Sequence, residues 1–501
     1  MSTALRVVGM LGAVYLLTLG ACGSDDAASG SSRPNPSGTA RGGAGPETED
    51  PRLGESAAGA GGAGGTAGTA NACAGLDSSQ PTTFYLSADD SNSMASPVIA
   101  RRQLSEGKKV SPGVLRTYEF LNYYNVGYPA ASEGSVGLFA EMGTDPEGYA
   151  LQLAVSAEAP PLVRRNMNLT FVLDTSGSMT GTPIDLERAA VLAIAGSLRA
   201  GDVVSIVTWN TSNAIVMNSH VVTGPDDSTL RQAAGAISAG GGTDLHGGLT
   251  AGYGLAQQNF LPGLLNRVIL ISDGNANVGI TDEEIIGRGA ALNDGDGIYL
   301  VGIGTGGGVN DTLMDRVTDA GRGAYVYLDS VSEANTMFGP RFDEVMDVAA
   351  RSVRVELQLP WYMGIQRFYG EEYSTNPRTI EPQHLAPGDA MVFNQVVSPC
   401  DTSHFSQTDP VQLTARWQTP GDHQNRSQSL QTTLGELLAA DTPYLPKAKA
   451  IIAYAEALKA TGDQRAKLTE ARTLVLAADP SGVDPELAEI LSLIDQALTI
   501  Y

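Results

Sequence analysis

The chain has 501 residues, enough for two or three domains and a sizeable core, which excludes a peptide-like or disulfide-only scaffold. Hydrophobic residues make up 42% and charged ones only 17%, while 59 glycines point to a Gly/Ala-rich stretch of low complexity beside the globular parts. A formal charge of -24 repels phosphate backbones and anionic headgroups, so nucleic acid is not an expected partner, whereas divalent cations are.

Residues 1–21 read as an export signal: Arg6 gives a positive start, Val7 to Leu19 an apolar run too short to span a bilayer, and Leu19-Gly20-Ala21 a small-residue processing site before Cys22. This L-G-A-C arrangement resembles the bacterial lipobox, which implies a diacylated Cys22 at the mature N-terminus and anchorage to a membrane through lipid. Gly23, in place of the Asp that commonly retains lipoproteins at the inner membrane, favours the outer membrane, with the protein facing the periplasm or the surface. Residues 22–81, rich in Gly, Ala and Ser and including "GAGGAGGTAGTA", cannot bury enough apolar area to offset their ordering entropy and are expected to be a flexible tether.

From 82 to 160 short β-like runs ("TFYLSA", "GLFAEM", "YALQLAVSA") surround one helical stretch, "VLRTYEFLNYYNVGYP", in which Val114, Leu115, Tyr118 and Leu121 share a face. Its aromatic residues Tyr118, Phe120, Tyr123, Tyr124 and Tyr128 read as core packing rather than a ligand platform. Residues 165–347 alternate apolar strands with amphipathic helices, the pattern of a doubly wound, mainly parallel α/β sheet. The helix expected from Pro183 to Ala200 shows the local logic. Pro183 sets the first turn, Asp185 and Glu187 favour the N-terminal dipole, Leu186, Ala190, Ile194 and Leu198 line one face, and Gly201 ends it. Residues 353–432 return to β-like patterning, and 443–501 form a helical tail that Pro480 and Gly482 break in two.

The chemistry concentrates at strand ends. "LTFVLD" runs into D-T-S-G-S, presenting Asp174, Ser176 and Ser178; "GGTD" presents Thr243 before a helix; "ILISDG" presents Asp273. In open α/β sheets the carboxyl edge is where ligands bind. D-x-S-x-S, a Gly-Gly-Thr loop and a strand-end S-D-G in this order resemble the metal-ion-dependent adhesion site (MIDAS) of von Willebrand factor type A (VWA) domains, over about 180 residues. The resemblance implies that Ser176, Ser178 and Thr243 offer hydroxyls to Mg²⁺ (or Ca²⁺/Mn²⁺), with Asp174 and Asp273 binding directly or through water. Mostly neutral oxygen donors suit Mg²⁺ and leave it able to accept one more carboxylate, from an Asp or Glu of a protein partner. Two similar patterns carry less. "DDSNSM" also spells D-x-S-x-S with Asp89, Ser91 and Ser93 but lacks its own companion loops, and "GIGTGG" (Gly302, Gly304, Gly307) imitates a dinucleotide fingerprint at the wrong end of its sheet.

The flanks are similar to those of bacterial VWA-containing proteins of the YfbK type, in "GVLRTYEFLNYYNVGYP", "GIQRFYGEEY", "LAPGDAMVF" and "LPKAKAIIAYAEALK". That similarity implies a VWA domain inserted into one β-rich flanking domain made of 82–160 and 353–432. With Cys22 lipidated, Cys73 and Cys400 remain, either bridged in an oxidising compartment or as two free thiols. The expected function is metal-dependent binding of a protein partner for adhesion or scaffolding, without enzymatic activity. A metal-dependent hydrolase is the first alternative, weakened because His220, His246, His384, His404 and His423 form no H-E-x-x-H pair; a scaffold partner of a ring ATPase is the second.

Overall fold

The computed structural model describes residues 73–89, 92–277, 297–420 and 422–501. The expected signal segment 1–21, Cys22 with its expected lipidation, the tether as far as residue 72, Ser91 and residues 278–296 of the alternating strands and helices lie outside the described residues.

The first flank contains β1 (Thr82–Ser87), α1 (Ala95–Ser105), α2 (Thr117–Tyr123), β2 (Gly137–Asp145) and β3 (Gly148–Ser156). The central unit follows with β4 (Met167–Asp174), α3 (Thr182–Ser197), β5 (Val203–Trp209), β6 (Asn213–Val221), α4 (Ser228–Ala236), α5 (Leu245–Gln258) and β7 (Leu265–Ser272). It continues through β8 (Tyr299–Thr305), α6 (Asp311–Ala320), β9 (Tyr325–Leu328), α7 (Val331–Met337) and α8 (Phe342–Met346).

The central sheet has the order β6-β5-β4-β7-β8-β9 and is parallel except for β6, which pairs antiparallel with β5 at one edge. Every residue of β4 and β7 is buried, as expected for strands covered by helices on both faces. Register puts Asp174 opposite Trp209 and Leu173 opposite Ile271, so the ends of β4, β5 and β7 lie side by side.

The second flank contains β10 (Ala350–Leu359), β11 (Met363–Phe368), β12 (Glu372–Ser374), β13 (Gln383–Leu385), β14 (Ala390–Pro399), β15 (Pro410–Gln418) and β16 (Asn425–Thr433). Its strands interleave with those of the first: β12-β1-β10-β15-β16 form one sheet, with β13 also on β10, and β11-β14-β3-β2 form another. Phe84, Leu153, Leu357, Phe393 and Leu413 belong to the core between them. The tail comprises α9 (Leu434–Ala439), α10 (Leu445–Lys459), α11 (Gln464–Ala478) and α12 (Pro485–Ile500); the apolar residues of α10, α11 and α12 join one core with α1, α2 and the central unit, whereas Leu434 and Leu437 of α9 belong to the core of the flanking sheets.

Several elements differ from the sequence reading. The flank holds a second helix, α1, whose Pro97 sits at the third helical position, where the missing N–H has no intrahelical partner to lose. The stretch read as one helix around Val114 to Pro129 is helical only over α2 and a short 3-10 turn, Pro112–Val114. Helix α3 stops at Ser197 rather than Ala200, and Glu187, read as an acid favouring the N-terminal dipole, is fully buried. Residues 443–501, read as broken once, break twice, at residues 460–463, where Asp463 takes a left-handed φ of 51°, as well as around Pro480 and Gly482. Residues 73–81, counted with the tether, include Cys73, which is 7% exposed and disulfide-bonded to Cys400.

Candidate metal centre

Asp174 ends the central strand with its side chain 0% exposed. Its Oδ1 accepts from the Ser176 backbone N–H at 2.9 Å, which folds the D-T-S turn back on itself, and its Oδ2 accepts from Ser272 Oγ at 2.6 Å, at the end of β7. Ser176 is buried and Ser178 exposed, their hydroxyls 3.0 Å apart. Asp273, 4% exposed, follows Ser272 and accepts from the Asn275 N–H at 3.0 Å.

The Gly-Gly-Thr loop is tied to both. Gly177 N donates to Gly241 O at 3.0 Å and Gly240 N to Thr175 O at 2.7 Å, fixing it against the D-T-S-G-S turn. Gly241 adopts φ 91°, a left-handed conformation that a side chain would strain. Thr243 N donates to Asn277 Oδ1 at 2.9 Å and Thr243 O accepts from Asn277 N at 3.0 Å, linking the loop to the chain after Asp273. Asp244 caps α5 by accepting from Gly247 N. Three loops, those after β4 and β7 and the one joining α4 to α5, carry Asp174, Ser176, Ser178, Thr243 and Asp273 and are therefore cross-linked by hydrogen bonds at one edge of the sheet.

Two observations bear on whether these residues fit a cation. The Thr243 hydroxyl is buried and has no hydrogen-bond partner among the described residues, although buried hydroxyls nearly always find one. Burial pushes the Asp174 carboxyl up to about 6 against hydrogen bonds from Ser272 and Ser176, and the charge of Asp273 adds to the rise. Two buried acids beside three hydroxyls, one of them unsatisfied, form an oxygen-rich donor set suited to a hard dication. Among the described residues no group of three or more His, Cys, Asp or Glu is placed to hold a metal, because hydroxyls make up most of this set.

The sequence reading missed three contributors. Ser272 lies in the S-D-G motif itself and orients Asp174. Asn277 fixes the Thr243 backbone and carried no motif signal. Glu187 lies fully buried near Asp174, and burial, then the Asp174 charge, pushes its carboxyl well above the usual range. Of the similar patterns, Asp89 is occupied with the Ser93 N–H at 2.6 Å and Asn122 Nδ2 at 2.7 Å. Gly302 of "GIGTGG" serves close packing, since a Cβ there would stand 2.1 Å from Thr318 Oγ1.

Residues 168–339 match the family model of the von Willebrand factor type A domain, and this part of the chain belongs to that family. Among curated relatives, the uncharacterized protein YfbK of Escherichia coli is 27% identical over 278 residues, covering 52% of this chain and 47% of that protein. The inter-alpha-trypsin inhibitor heavy chain H1 of Sus scrofa is 29% identical over 211 residues, 40% of this chain and 22% of that one. The chain thus spans less than half the length of these relatives. Among solved structures, a von Willebrand factor type A protein from Catenulispora acidiphila aligns over 83% of this chain and 90% of its own, at 14% identity and a TM-score of 0.45. No helix among the described residues is long and apolar enough to cross a membrane.

Proposed function

We propose that this chain is a lipid-tethered protein of the cell envelope, at the outer membrane, whose VWA domain binds an acidic group of a protein partner through a divalent cation, as a non-catalytic adhesion or scaffolding module. The observation that carries the reading is the buried, unsatisfied Thr243 hydroxyl in a loop hydrogen-bonded to the turn of Ser176 and Ser178. Ser176, Ser178 and Thr243 would hold the ion with their hydroxyls, and Asp174 and Asp273 would balance its charge. When bound, Mg²⁺ or Mn²⁺ supplies an electrophile for a carboxylate oxygen from outside the chain. Ser272 keeps Asp174 in place by donating to its outer oxygen. The export signal, Cys22 and the Gly/Ala-rich tether support presentation of the domain away from a membrane surface.

The test is capture of envelope proteins by the purified chain, followed by crosslinking. Capture is expected with Mg²⁺ or Mn²⁺, to vanish with EDTA, and to vanish in Asp174→Ala while circular dichroism shows that variant folded. Equal capture by parent and Asp174→Ala would refute the metal-centred reading. For the anchor, metabolic labelling with a palmitate analogue is expected to mark the parent and not Cys22→Ala.

A further inference from the structure

Arg267 and Tyr299 lie at the beginnings of β7 and β8, at the edge of the sheet away from Asp174 and Asp273. From Arg267 to Ser272 the strand runs roughly 17 Å. Arg267 is only 4% exposed, yet its hydrogen bonds go to two backbone carbonyls, Met346 O from Nε and Asn266 O from Nη1, both at 2.9 Å. No carboxylate among the described residues bonds it. Burial pulls this guanidinium down to about 10 against the attraction of Asp347, which it does not hydrogen-bond, and the charges of Arg165 and Arg351 add to the fall.

Three groups gather on the Tyr299 ring. Arg267 lies 4.9 Å from its centroid, Arg351 of β10 lies 5.3 Å from it, and the His384 ring of β13 lies 4.8 Å from it. Arg351 Nε is buried without a hydrogen-bond partner among the described residues, and its Nη1 meets His423 Nε2 at 2.5 Å. His384 is 5% exposed; its Nδ1 accepts from the Ser352 N–H at 3.2 Å, which leaves the proton on Nε2, itself buried without an acceptor among the described residues. Asp347 is the nearby acid, and Arg165 Nη2 holds it at 3.2 Å. Arg165, Arg267, Tyr299, Arg351 and His423 line a cleft of about 250 Å³, and His384 lines a smaller cavity that shares Arg267 and Tyr299.

A buried guanidinium that no carboxylate bonds is unfavourable unless a counter-ion is supplied, and the partly exposed Arg351 beside it adds repulsion. In a chain of formal charge -24 this local excess of positive charge runs against the whole. We propose that the cleft binds a small oxyanion, a phosphate or a carboxylate of similar size, held between Arg267 of the VWA domain and Arg351 of the flanking domain, with Arg165 beside them. Planar guanidiniums match the paired oxygens of either group. The depth of Arg267 and the size of the cleft restrict the occupant to a small molecule rather than a macromolecular surface. Bound there, it would fasten the VWA domain to its flank at the end of the sheet opposite the metal centre.

The purified chain is titrated calorimetrically with sodium phosphate and with sodium malonate, each against sodium chloride at equal ionic strength, with melting temperature followed in parallel. Saturable binding of phosphate, malonate or both, with a rise in melting temperature that chloride does not give, supports the site, and the anion that binds assigns the class. Because Arg267 lies in the core, the partly exposed Arg351→Gln and Arg165→Gln carry the mutational arm. Each is expected to weaken binding about tenfold or more through loss of a charge-assisted contact while the variant remains folded. No binding of either oxyanion beyond chloride, or parental affinity in both variants, would overturn the proposal.

Discussion

The hydroxyl of Thr243 is buried without a partner among the described residues, a condition that costs about 1–3 kcal/mol where nothing fills it. Thr243→Val keeps the shape and removes the hydroxyl. In EDTA, urea denaturation is expected to show this variant as stable as the parent or more so, by up to about 1 kcal/mol, whereas its Mn²⁺ affinity by calorimetry should fall by about tenfold or more. An apo variant clearly less stable than the parent would assign the hydroxyl a structural bond instead. His384 gives a separate handle on pH. Burial, then the neighbouring Arg351, Arg322 and Arg267, pushes its imidazole down to about 3 from an ordinary 6.5. Between those values the unfolded chain binds the proton and the folded chain does not, so the stability due to neutral His384 is complete above pH 6.5 and is lost as pH falls toward 3. At pH 4.5 that loss is roughly 2–3 kcal/mol. His384→Gln is expected to flatten the slope of unfolding free energy against pH over 6.5 to 4.5, whatever its effect at pH 7, and an unchanged slope would contradict the assignment.

Among elements, α1 acts as a clamp. Its Arg101 meets Asp329 at 2.9 Å, Glu333 of α7 at 2.7 Å and Glu489 of α12 at 3.1 Å, and donates to the Tyr123 hydroxyl at 2.9 Å. One guanidinium thus joins the first flank, the last helices of the VWA domain and the tail. Glu333 is buried, so Arg101→Ala should cost roughly 3–5 kcal/mol in urea denaturation, because the acids stay behind unpaired. Arg101→Lys should recover only part of this, since an ammonium cannot match the planar fork. A loss below about 1 kcal/mol would mean that water satisfies these acids. That this helix went unread follows from its sequence, where Pro97 stands among apolar residues and no side chain caps the start. Strand β6 escaped for the opposite reason: it lies on an edge and exposes most of its residues, leaving little hydrophobic alternation to read. By contrast β4 and β7 were legible as apolar runs ending in Asp174 and beside Asp273, and those strand ends are where the oxygen donors converge. What sequence could not supply was the inward turn of Glu187, which shares a helical face with Val191 and Ile194, or the role of Asn277, which depends on a loop crossing to Thr243.

At the scale of the whole molecule, the flanking sheets close across the VWA insertion through β1 against β10 and β3 against β14. Their pairing pays a loop-closure entropy that rises only slowly with the length of the insert. The Cys73–Cys400 disulfide, with a sequence separation of 327, limits the freedom of the unfolded flank further, and in a chain-entropy account a loop this long gives a stabilisation of about 6 kcal/mol before any native-state strain. The tryptophans separate the domains spectroscopically: Trp209 lies in the VWA core at 0% exposure, while Trp361 and Trp417 lie in the flank. Single-tryptophan versions of the parent, oxidised, should give transitions in urea close to one another. With Cys73→Ser and Cys400→Ser together, the Trp417 transition should move to lower urea by an amount equivalent to roughly 2–5 kcal/mol, and the Trp209 transition should move less. Equal shifts of both probes would mean that flank and VWA domain unfold as one cooperative unit, and no shift of either would mean that sheet pairing alone holds the flank.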